Sequence, residues 1–224
     1  DRILLHDYGH APRRHKAQRQ LSFQQLPRAS ERLEMLGLAV DCLASAGYVH
    51  VGADCFVRAG DALAAARTGQ RLHHDMLGYT AAGDTDVVPL GASAVGATDH
   101  AYTQNESDLG AYYERLGAGL PAVSRGIVLS PDDVVRRMVM RLLLCRARVP
   151  YAEVEAQYSV PFERYFSAEL QGLERYAAAG LLRFEERAIA LEPRGRLWLR
   201  NLCAVFDRYH EPRRETHART GPSF

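Results

Sequence analysis

The spacing of apolar residues predicts a strand, a helix and a second strand at the start of the chain. Leucine and valine recur every three or four residues over 31–46, which predicts a helix capped by Ser30 and ended by Gly47. Short apolar runs at 3–5 and 48–52 predict strands on either side of it. We therefore expect a βαβ unit with parallel strands and a right-handed crossover.

The middle of the chain has weaker periodicity and more turn residues. Its pattern predicts helices over 60–67 and 108–116, a loop over 72–82 and a strand within 86–94. Two glycines and a proline then interrupt the pattern between 117 and 121, so we place a domain boundary after residue 116.

The remaining residues have strong helix signals. Ser130 precedes a proline and two aspartates, which predicts the start of a helix that continues to Arg146. Further helices are predicted over 150–157 and 161–179, then a hairpin from 181–184 and 188–191, and a last helix from Pro193. Three helices, a hairpin and a closing helix resemble a winged-helix unit. The polar residues after 209 predict a flexible tail over 210–224.

The segment Gly78–Asn105 combines small residues with two close acids, Asp84 and Asp86, and an apolar run over 87–97. Glycines inside an apolar run indicate that another group approaches the backbone closely. We therefore predict that the loop over 72–105 lines a binding site.

Composition is that of a globular protein, with 47% hydrophobic and 25% charged residues among 224. No apolar run approaches the roughly 20 residues of a membrane helix, and no secretory signal is present. The net charge is +1, and 27 of the 28 basic residues are arginine, which favours bidentate carboxylate contacts. Residues 1–28 hold six basic and two acidic side chains, whereas residues 40–108 hold three basic and nine acidic ones.

The four cysteines have no metal-ligand spacing and predict a reducing cytoplasm. Cys42, Cys145 and Cys203 lie on helical apolar patterns and are predicted to be buried free thiols. Cys55 follows a predicted strand, where a stabilised thiolate would be reactive and a neutral thiol inert; we favour the inert thiol.

Several segments together resemble the C-terminal half of oxygen-independent coproporphyrinogen III oxidase (dehydrogenase), a radical S-adenosylmethionine family. The likeness extends to about Tyr209, although Cys55 and Ala59 stand where the family usually has His and Pro. The segments are DYGHAPRRHKAQRQL at 7–21, GYVHVGADCFVRAGDALAAA at 47–66, LHHDMLGYTAAGDTDVVPLGASAVG at 72–96, YTQN at 102–105, RGIVLSPDDVVRRMVMRLLLC at 125–145 and GRLWLRNLCAVFD at 195–207.

The resemblance implies a radical reaction in the cytoplasm on coproporphyrinogen III. Family members hold one [4Fe-4S] cluster through a CxxxCxxC motif and bind two molecules of S-adenosylmethionine. A 5′-deoxyadenosyl radical starts the oxidative decarboxylation of two propionates to vinyl groups, which gives protoporphyrinogen IX. The motif is absent from this sequence, so the resemblance implies cluster ligands outside this chain, a longer parent enzyme and an inactive isolated chain.

The resemblance also implies a fold and two cofactor contacts. Residues 1–116 would form the C-terminal portion of a partial (β/α) barrel, and residues 117–209 a mostly helical winged-helix-like domain, within an α/β class. Gly9 matches a small residue that contacts the second S-adenosylmethionine, and Val95 matches an apolar residue that contacts the first. No catalytic or metal-binding residue is assigned to this chain, and the full-length protein is expected to be a monomer without nucleic-acid or membrane partners.

Other polar and aromatic residues have both a functional and a structural interpretation. Asp84 and Asp86 would order a loop over the substrate, hydrogen-bond a pyrrole N–H, or cap turns. The arginines near the start would bind substrate carboxylates or form a solvated face. Arg136 and Arg137 are expected to pair with Asp132, Asp133 or another domain. The arginines near the start are Arg13, Arg14 and Arg19. The histidines His10, His73 and His74 are either groups of a binding site or structural and solvated residues. Tyr79 and Tyr102 either line a pocket or belong to the core.

Two other functions remain open from the sequence. One is a haem-carrier relative without oxidase activity. The other is a winged-helix nucleic-acid binder. The predicted third helix argues against the second, because over 161–179 three glutamates outnumber two arginines, whereas DNA-binding helices are basic.

Overall fold

The computed structural model describes residues 1–210 as a mixed α/β protein. The helices are α1 Ala29–Ser45, α2 Ala62–Thr68, α3 Leu109–Gly117, α4 Pro131–Arg146, α5 Tyr151–Tyr158, α6 Phe162–Tyr165, α7 Ser167–Ala178 and α8 Leu199–Phe206. The strands are β1 Arg2–Leu4, β2 Tyr48–Gly52, β3 Cys55–Arg58, β4 His73–Asp75, β5 Gly78–Thr80, β6 Val95–Ala97, β7 Ala101–Asn105, β8 Val123–Val128, β9 Arg148–Pro150, β10 Leu182–Glu185 and β11 Ala188–Leu191.

The first sheet places β3 between the two strands predicted at the start of the chain. Its order is β1-β3-β2, and β3 pairs antiparallel with both neighbours. The chain reverses after β2 at Ala53, which has a φ of 40°. Alanine rarely adopts this left-handed conformation, so the turn into β3 has no sequence signature. Because β1 and β2 are each antiparallel to β3, they run parallel to one another, as predicted, but they are not adjacent in the sheet.

The middle of the chain forms two further antiparallel sheets. The predicted loop at 72–82 is instead the hairpin β4–β5, and the strand predicted within 86–94 is reduced to a single bridge between Val87 and Ala97. Strands β6, β7 and β8 follow in that order. Because β8 pairs with β7, hydrogen bonds join the residues on either side of the boundary predicted after residue 116.

The cap predicted at Ser130 is confirmed. The Ser130 side chain accepts a hydrogen bond from the Asp133 N–H, and the Asp133 carboxylate accepts one from the Ser130 N–H, as in a capping box. Helix α3 is capped by Asp108, and Gly47 ends the α1 region with a φ of 79°. Helix α1 begins at Ala29 rather than at Glu31. The Arg28 N–H donates to Glu31, so the cap predicted at Ser30 is wrong.

The last part of the described chain packs helices on a small sheet of order β10-β11-β9. The single helix predicted over 161–179 is divided into α6 and α7, because Phe166 leaves helical geometry with φ −104° and ψ 27°. The last predicted helix starts as a 3-10 turn, Pro193–Trp198, before α8. The 210–224 tail prediction falls, apart from His210, outside the described residues.

Two clusters of buried side chains meet on α4. The larger one lies between α4 and the later helices and sheet, and it includes Phe162, Phe166 and Phe206, each with no exposed surface. The smaller one packs β2, β3 and α2 against Cys145. No residue of α1 is fully buried. Among the described residues, no helix is long and apolar enough to cross a membrane.

The substitution Phe162→Ala tests the larger cluster. Phe162 is fully buried, with its ring stacked 4.2 Å from that of Tyr151. We expect the loss of packing and the resulting cavity to lower the free energy of unfolding by about 3–5 kcal/mol, measured by urea denaturation. Phe184 is 41% exposed, so Phe184→Ala is the matched control and should cost clearly less. Equal losses for both variants would contradict this account of the core.

Candidate functional site

The hairpin β4–β5 carries three of the predicted site residues against the end of α4. His74 lies edge-on to Tyr79, with ring centroids 4.7 Å apart. The Tyr79 hydroxyl donates to the Leu144 carbonyl oxygen at 3.1 Å. Burial raises the pKa of Tyr79 well above its ordinary value and lowers the pKa of His74. Both rings are therefore neutral packing groups at neutral pH.

Gly52 at the end of β2 is required by this packing. A Cβ atom there would collide with the Tyr79 hydroxyl and would lie 2.8 Å from the Leu144 carbonyl oxygen. The glycine lets three elements, β2, β5 and α4, meet closely. The structural interpretation of Tyr79 as a core aromatic therefore accounts for its contacts.

Asp84 joins the hairpin to α4. Its carboxylate lies 2.7 Å from Nη1 of Arg141 and 3.4 Å from Nε2 of His73. The His73 side chain is only 13% exposed, whereas that of Asp84 is 61% exposed. Burial lowers the pKa of His73, with Arg141 lowering it further and Asp84 raising it. This triad brings two predicted residues together and adds Arg141, which sequence reasoning missed.

The glycines of the predicted site-lining loop accommodate the chain itself. A Cβ at Gly96 would lie 2.6 Å from the Thr103 hydroxyl oxygen and 2.8 Å from the Pro89 ring. The buried Asn105 amide donates to the carbonyl oxygens of Pro89 and Gly91, at 3.0 Å in each case. The close approach to the backbone that the glycines predicted is therefore made by neighbouring residues of the same segment.

Some apolar residues of this segment face solvent. Val88 is 72% exposed and Leu90 is 86% exposed, and Asp86 is also exposed. Tyr102 on β7 is half-buried, with the Arg137 guanidinium 5.9 Å from its ring centroid. Asp84 and Asp86 thus have different surroundings, because only Asp84 reaches α4.

The two predicted cofactor contacts lie in different elements. Gly9 is half-buried in the loop after β1, and its carbonyl oxygen accepts a hydrogen bond from the Gln18 amide at 3.0 Å. The same amide accepts one from the Ala11 N–H at 2.5 Å, so one side chain fixes the loop around Gly9. Val95 is half-buried on β6 and pairs with Gln104.

Basic and histidine candidates near the start of the chain lie at the surface of that loop. Arg13, Arg14 and Arg19 are exposed, and Arg19 donates to the Pro12 carbonyl oxygen at 3.0 Å. His10 is half-buried, with Nδ1 3.2 Å from the Tyr8 hydroxyl. Exposed arginines retain their hydration and remain available to an anion without a rearrangement.

The arginines of α4 bind protein groups. Arg136 pairs with Asp132 at 2.9 Å and with Glu169 at 2.7 Å, which confirms its predicted partner. Arg137 instead donates to the carbonyl oxygens of Thr98 and Asp99, at 3.1 and 2.8 Å. Arg137 therefore does not pair with Asp132 or Asp133. Its contacts fit the remaining predicted alternative, because Thr98 and Asp99 lie in the segment assigned to the other domain, and they fix the turn between β6 and β7.

The cysteines are spread over the described structure. Cys55, Cys145 and Cys203 are buried and free, and burial raises the pKa of each thiol, that of Cys145 to about 12. These three are inert at neutral pH. Cys42 is exposed, so its predicted burial is wrong. Over residues 1–210, no group of three or more His, Cys, Asp or Glu side chains could hold a metal ion, so an iron–sulfur cluster does not fit this part of the chain.

The Asp84 triad predicts opposite shifts for two substitutions. Asp84→Asn removes a charge that raises the pKa of His73, so the pKa should fall further; Arg141→Gln should raise it. Both shifts are measurable by NMR titration of the imidazole protons. Asp86→Asn is the matched control, because Asp86 is also exposed and lies outside the triad. Unchanged titration of His73 in both variants would contradict the contact.

Three partly buried histidines predict loss of stability on acidification. Burial lowers the pKa of His50, His73 and His74 below the usual 6.5, so the unfolded chain binds more protons below that pH. The free energy of unfolding should therefore fall as the pH decreases from about 7.5 to about 5.5, measured by urea denaturation. His74→Gln should weaken this pH dependence, whereas His100→Gln, at an exposed position, should preserve it.

Comparison with known proteins finds the same likeness. The HemN C-terminal domain family matches residues 129–198. Oxygen-independent coproporphyrinogen III oxidases from Pseudomonas aeruginosa and Salmonella typhimurium are 37% and 38% identical over 209 residues, which is 93% of the chain and 45% and 46% of those proteins. The chain therefore spans about half the length of the curated relatives it matches.

A solved structure extends the likeness to the fold. Coproporphyrinogen III oxidase (HemN) from Escherichia coli, described as a radical SAM enzyme, superposes with a TM-score of 0.86 at 36% sequence identity. The alignment covers 94% of this chain and 48% of that one. The chain is therefore a homologue of the oxygen-independent coproporphyrinogen III oxidases, and it corresponds to their C-terminal half.

Proposed function

We propose that the chain is the C-terminal portion of an oxygen-independent coproporphyrinogen III dehydrogenase. The complete enzyme would convert two propionates of coproporphyrinogen III to vinyl groups and give protoporphyrinogen IX. The observation that carries the proposal is the continuous likeness to the Escherichia coli oxidase, at a TM-score of 0.86 over 94% of the chain. The proposal includes a cytoplasmic, monomeric parent protein in which the cluster ligands belong to another part of the polypeptide.

The two cofactor contacts are part of the proposal. S-adenosylmethionine, bound beside an iron–sulfur cluster, supplies the radical chemistry of such enzymes. We assign Gly9 to one molecule and Val95 to the other. The half-buried Val95 offers an apolar surface, and the tight packing of Gly96 against Pro89 fixes its strand. The loop around Gly9 is fixed by the Gln18 amide.

The domain division is proposed on the same basis. Residues 1–116 would complete a partial (β/α) barrel in the parent enzyme, and residues 117–209 would form a winged-helix-like cap. The order β10-β11-β9, with α4, α5 and α7 packed around it, supports the winged-helix comparison. The acidic excess in α6 and α7 supports a packing role for this unit rather than DNA binding.

A chimera tests the function directly. Residues 1–209 would replace the matching half of the Escherichia coli oxidase, and anaerobic formation of protoporphyrinogen IX from coproporphyrinogen III would be assayed with S-adenosylmethionine and a reductant. We expect turnover, because the replaced half has the same fold. Val95→Asp should lower the rate at least about tenfold, since a charge would face the adenosyl group.

Val128→Asp is the matched control for this chimera. Val128 is 80% exposed on β8, so the variant should keep the activity of the unsubstituted chimera. A folded chimera with a loaded cluster that retains haem tightly and forms no protoporphyrinogen would overturn the proposal in favour of a haem carrier. Equal loss in both variants would remove Val95 from the cofactor site.

A further inference from the structure

A cavity of about 320 Å³ lies where the two buried clusters meet. The surrounding elements are β2, the end of α2, the end of α4, β9 and the 3-10 turn before α8. Its lining is mixed: Val51, Leu143, Leu144 and Leu199 are apolar, whereas Arg67 and Arg196 are cationic. Volumes of this size hold small molecules rather than macromolecular segments.

The two central arginines have no acidic partner. Within residues 1–210, no carboxylate oxygen lies within 4.0 Å of a side-chain nitrogen of Arg67 or Arg196. The contrast with their neighbours in the same lining is clear, because Arg146 pairs with Glu153 and Arg148 with Glu185, at 2.7 Å in each case. The exposed arginines of the lining, Arg146 and Arg148, are thus paired with carboxylates, whereas the N–H donors of Arg67 and Arg196 are available.

Burial makes this arrangement costly. Both side chains are half-buried, and the pKa of Arg196 is lowered, first by burial and then by the charge of Arg67. The same two charges also affect His50, because its pKa is lowered by burial and then by Arg196 and Arg67. Two like charges in a partly desolvated cavity are unfavourable unless an anion compensates them.

The backbone holds both arginines in place. Gly195 is buried, and a Cβ atom there would collide with the Leu181 carbonyl oxygen, so Arg196 is presented from a turn packed directly against the residue before β10. Arg67 lies in the last turn of α2, where the Arg71 N–H donates to the Ala66 carbonyl oxygen at 2.8 Å. Both arginines therefore extend from backbone segments that packing or hydrogen bonds hold.

We propose that this cavity binds a small organic oxyanion, a carboxylate or a phosphate monoester, between the guanidinium groups of Arg67 and Arg196. Each guanidinium offers paired N–H donors that match such oxygens. The apolar walls from Val51, Leu143 and Leu199 would contact the body of the ligand. The site is separate from the proposed cofactor contacts, since neither Gly9 nor Val95 lines it.

The experiment titrates the 224-residue chain with butyrate, propyl phosphate and inorganic phosphate at constant ionic strength. Binding is followed by calorimetry and by the Nε–H signals of the arginines in NMR spectra. We expect saturable binding with shifts at Arg67 and Arg196. Stronger binding of butyrate would assign the site to carboxylates, and stronger binding of either phosphate would assign it to phosphoryl groups.

Substitutions give the matched comparison. Arg196→Gln and Arg67→Gln should each weaken binding at least about tenfold, because a charge-assisted contact is lost. Arg194→Gln changes an exposed arginine of the same 3-10 turn and should leave the affinity unchanged. An equal loss with Arg194→Gln, or no saturable binding of any of the three anions, would overturn the site.

A readout on the unsubstituted chain keeps the test decisive if a variant does not fold. An anion between the arginines would offset their charge, so the pKa of His50 should rise on binding. Saturable binding that leaves the titration of His50 unchanged and shifts only exposed arginines would place the anion elsewhere and contradict the proposal.

Discussion

The burial of α4 on two sides is the constraint on which the described structure depends. Val135, Val139 and Leu142 face the larger cluster, while Cys145 packs into the smaller one. The helix contacts α5, α8 and β9 on one side and β2 and β4 on the other. Because one rigid helix supplies a wall to both clusters, the early sheet and the later helices have a fixed relation. The Ser130–Asp133 box fixes where that helix begins.

Polar side chains of α4 also fix parts of the segment Gly78–Asn105. Arg137 holds the turn after β6 through two carbonyl oxygens, and Arg141 holds Asp84. An exposed ion pair contributes only about 0–1 kcal/mol, so these contacts position the segment more than they stabilise the fold. This segment, in which Gly96 packs on Pro89 and Thr103, needs such positioning, since its own hydrophobic residues Val88 and Leu90 face solvent.

Local signals predicted most helices and the β10–β11 hairpin, but not how the other strands pair, for physical reasons. A cap such as Ser130 acts within a few residues, so its chemistry can be read from the sequence. The pairing of β3 between β1 and β2 depends on a left-handed alanine at the turn and on contacts between distant residues. Likewise, Asp84 and His73 were recognisable as candidates, but their partner Arg141 comes from another element, and no local pattern identifies it.

The arginines separate into two classes that only the three-dimensional structure distinguishes. With 27 arginines and one lysine, composition alone does not distinguish an arginine that forms a surface ion pair from one that binds a ligand. Most of those around the later sheet, such as Arg148, Arg183 and Arg187, have carboxylate partners at the surface, where pairing is inexpensive. Arg67 and Arg196 are instead half-buried, repel each other and face a cavity. Since two like charges in a partly desolvated cavity are unfavourable unless they are compensated, this pair is best explained by an anion that the cavity accepts.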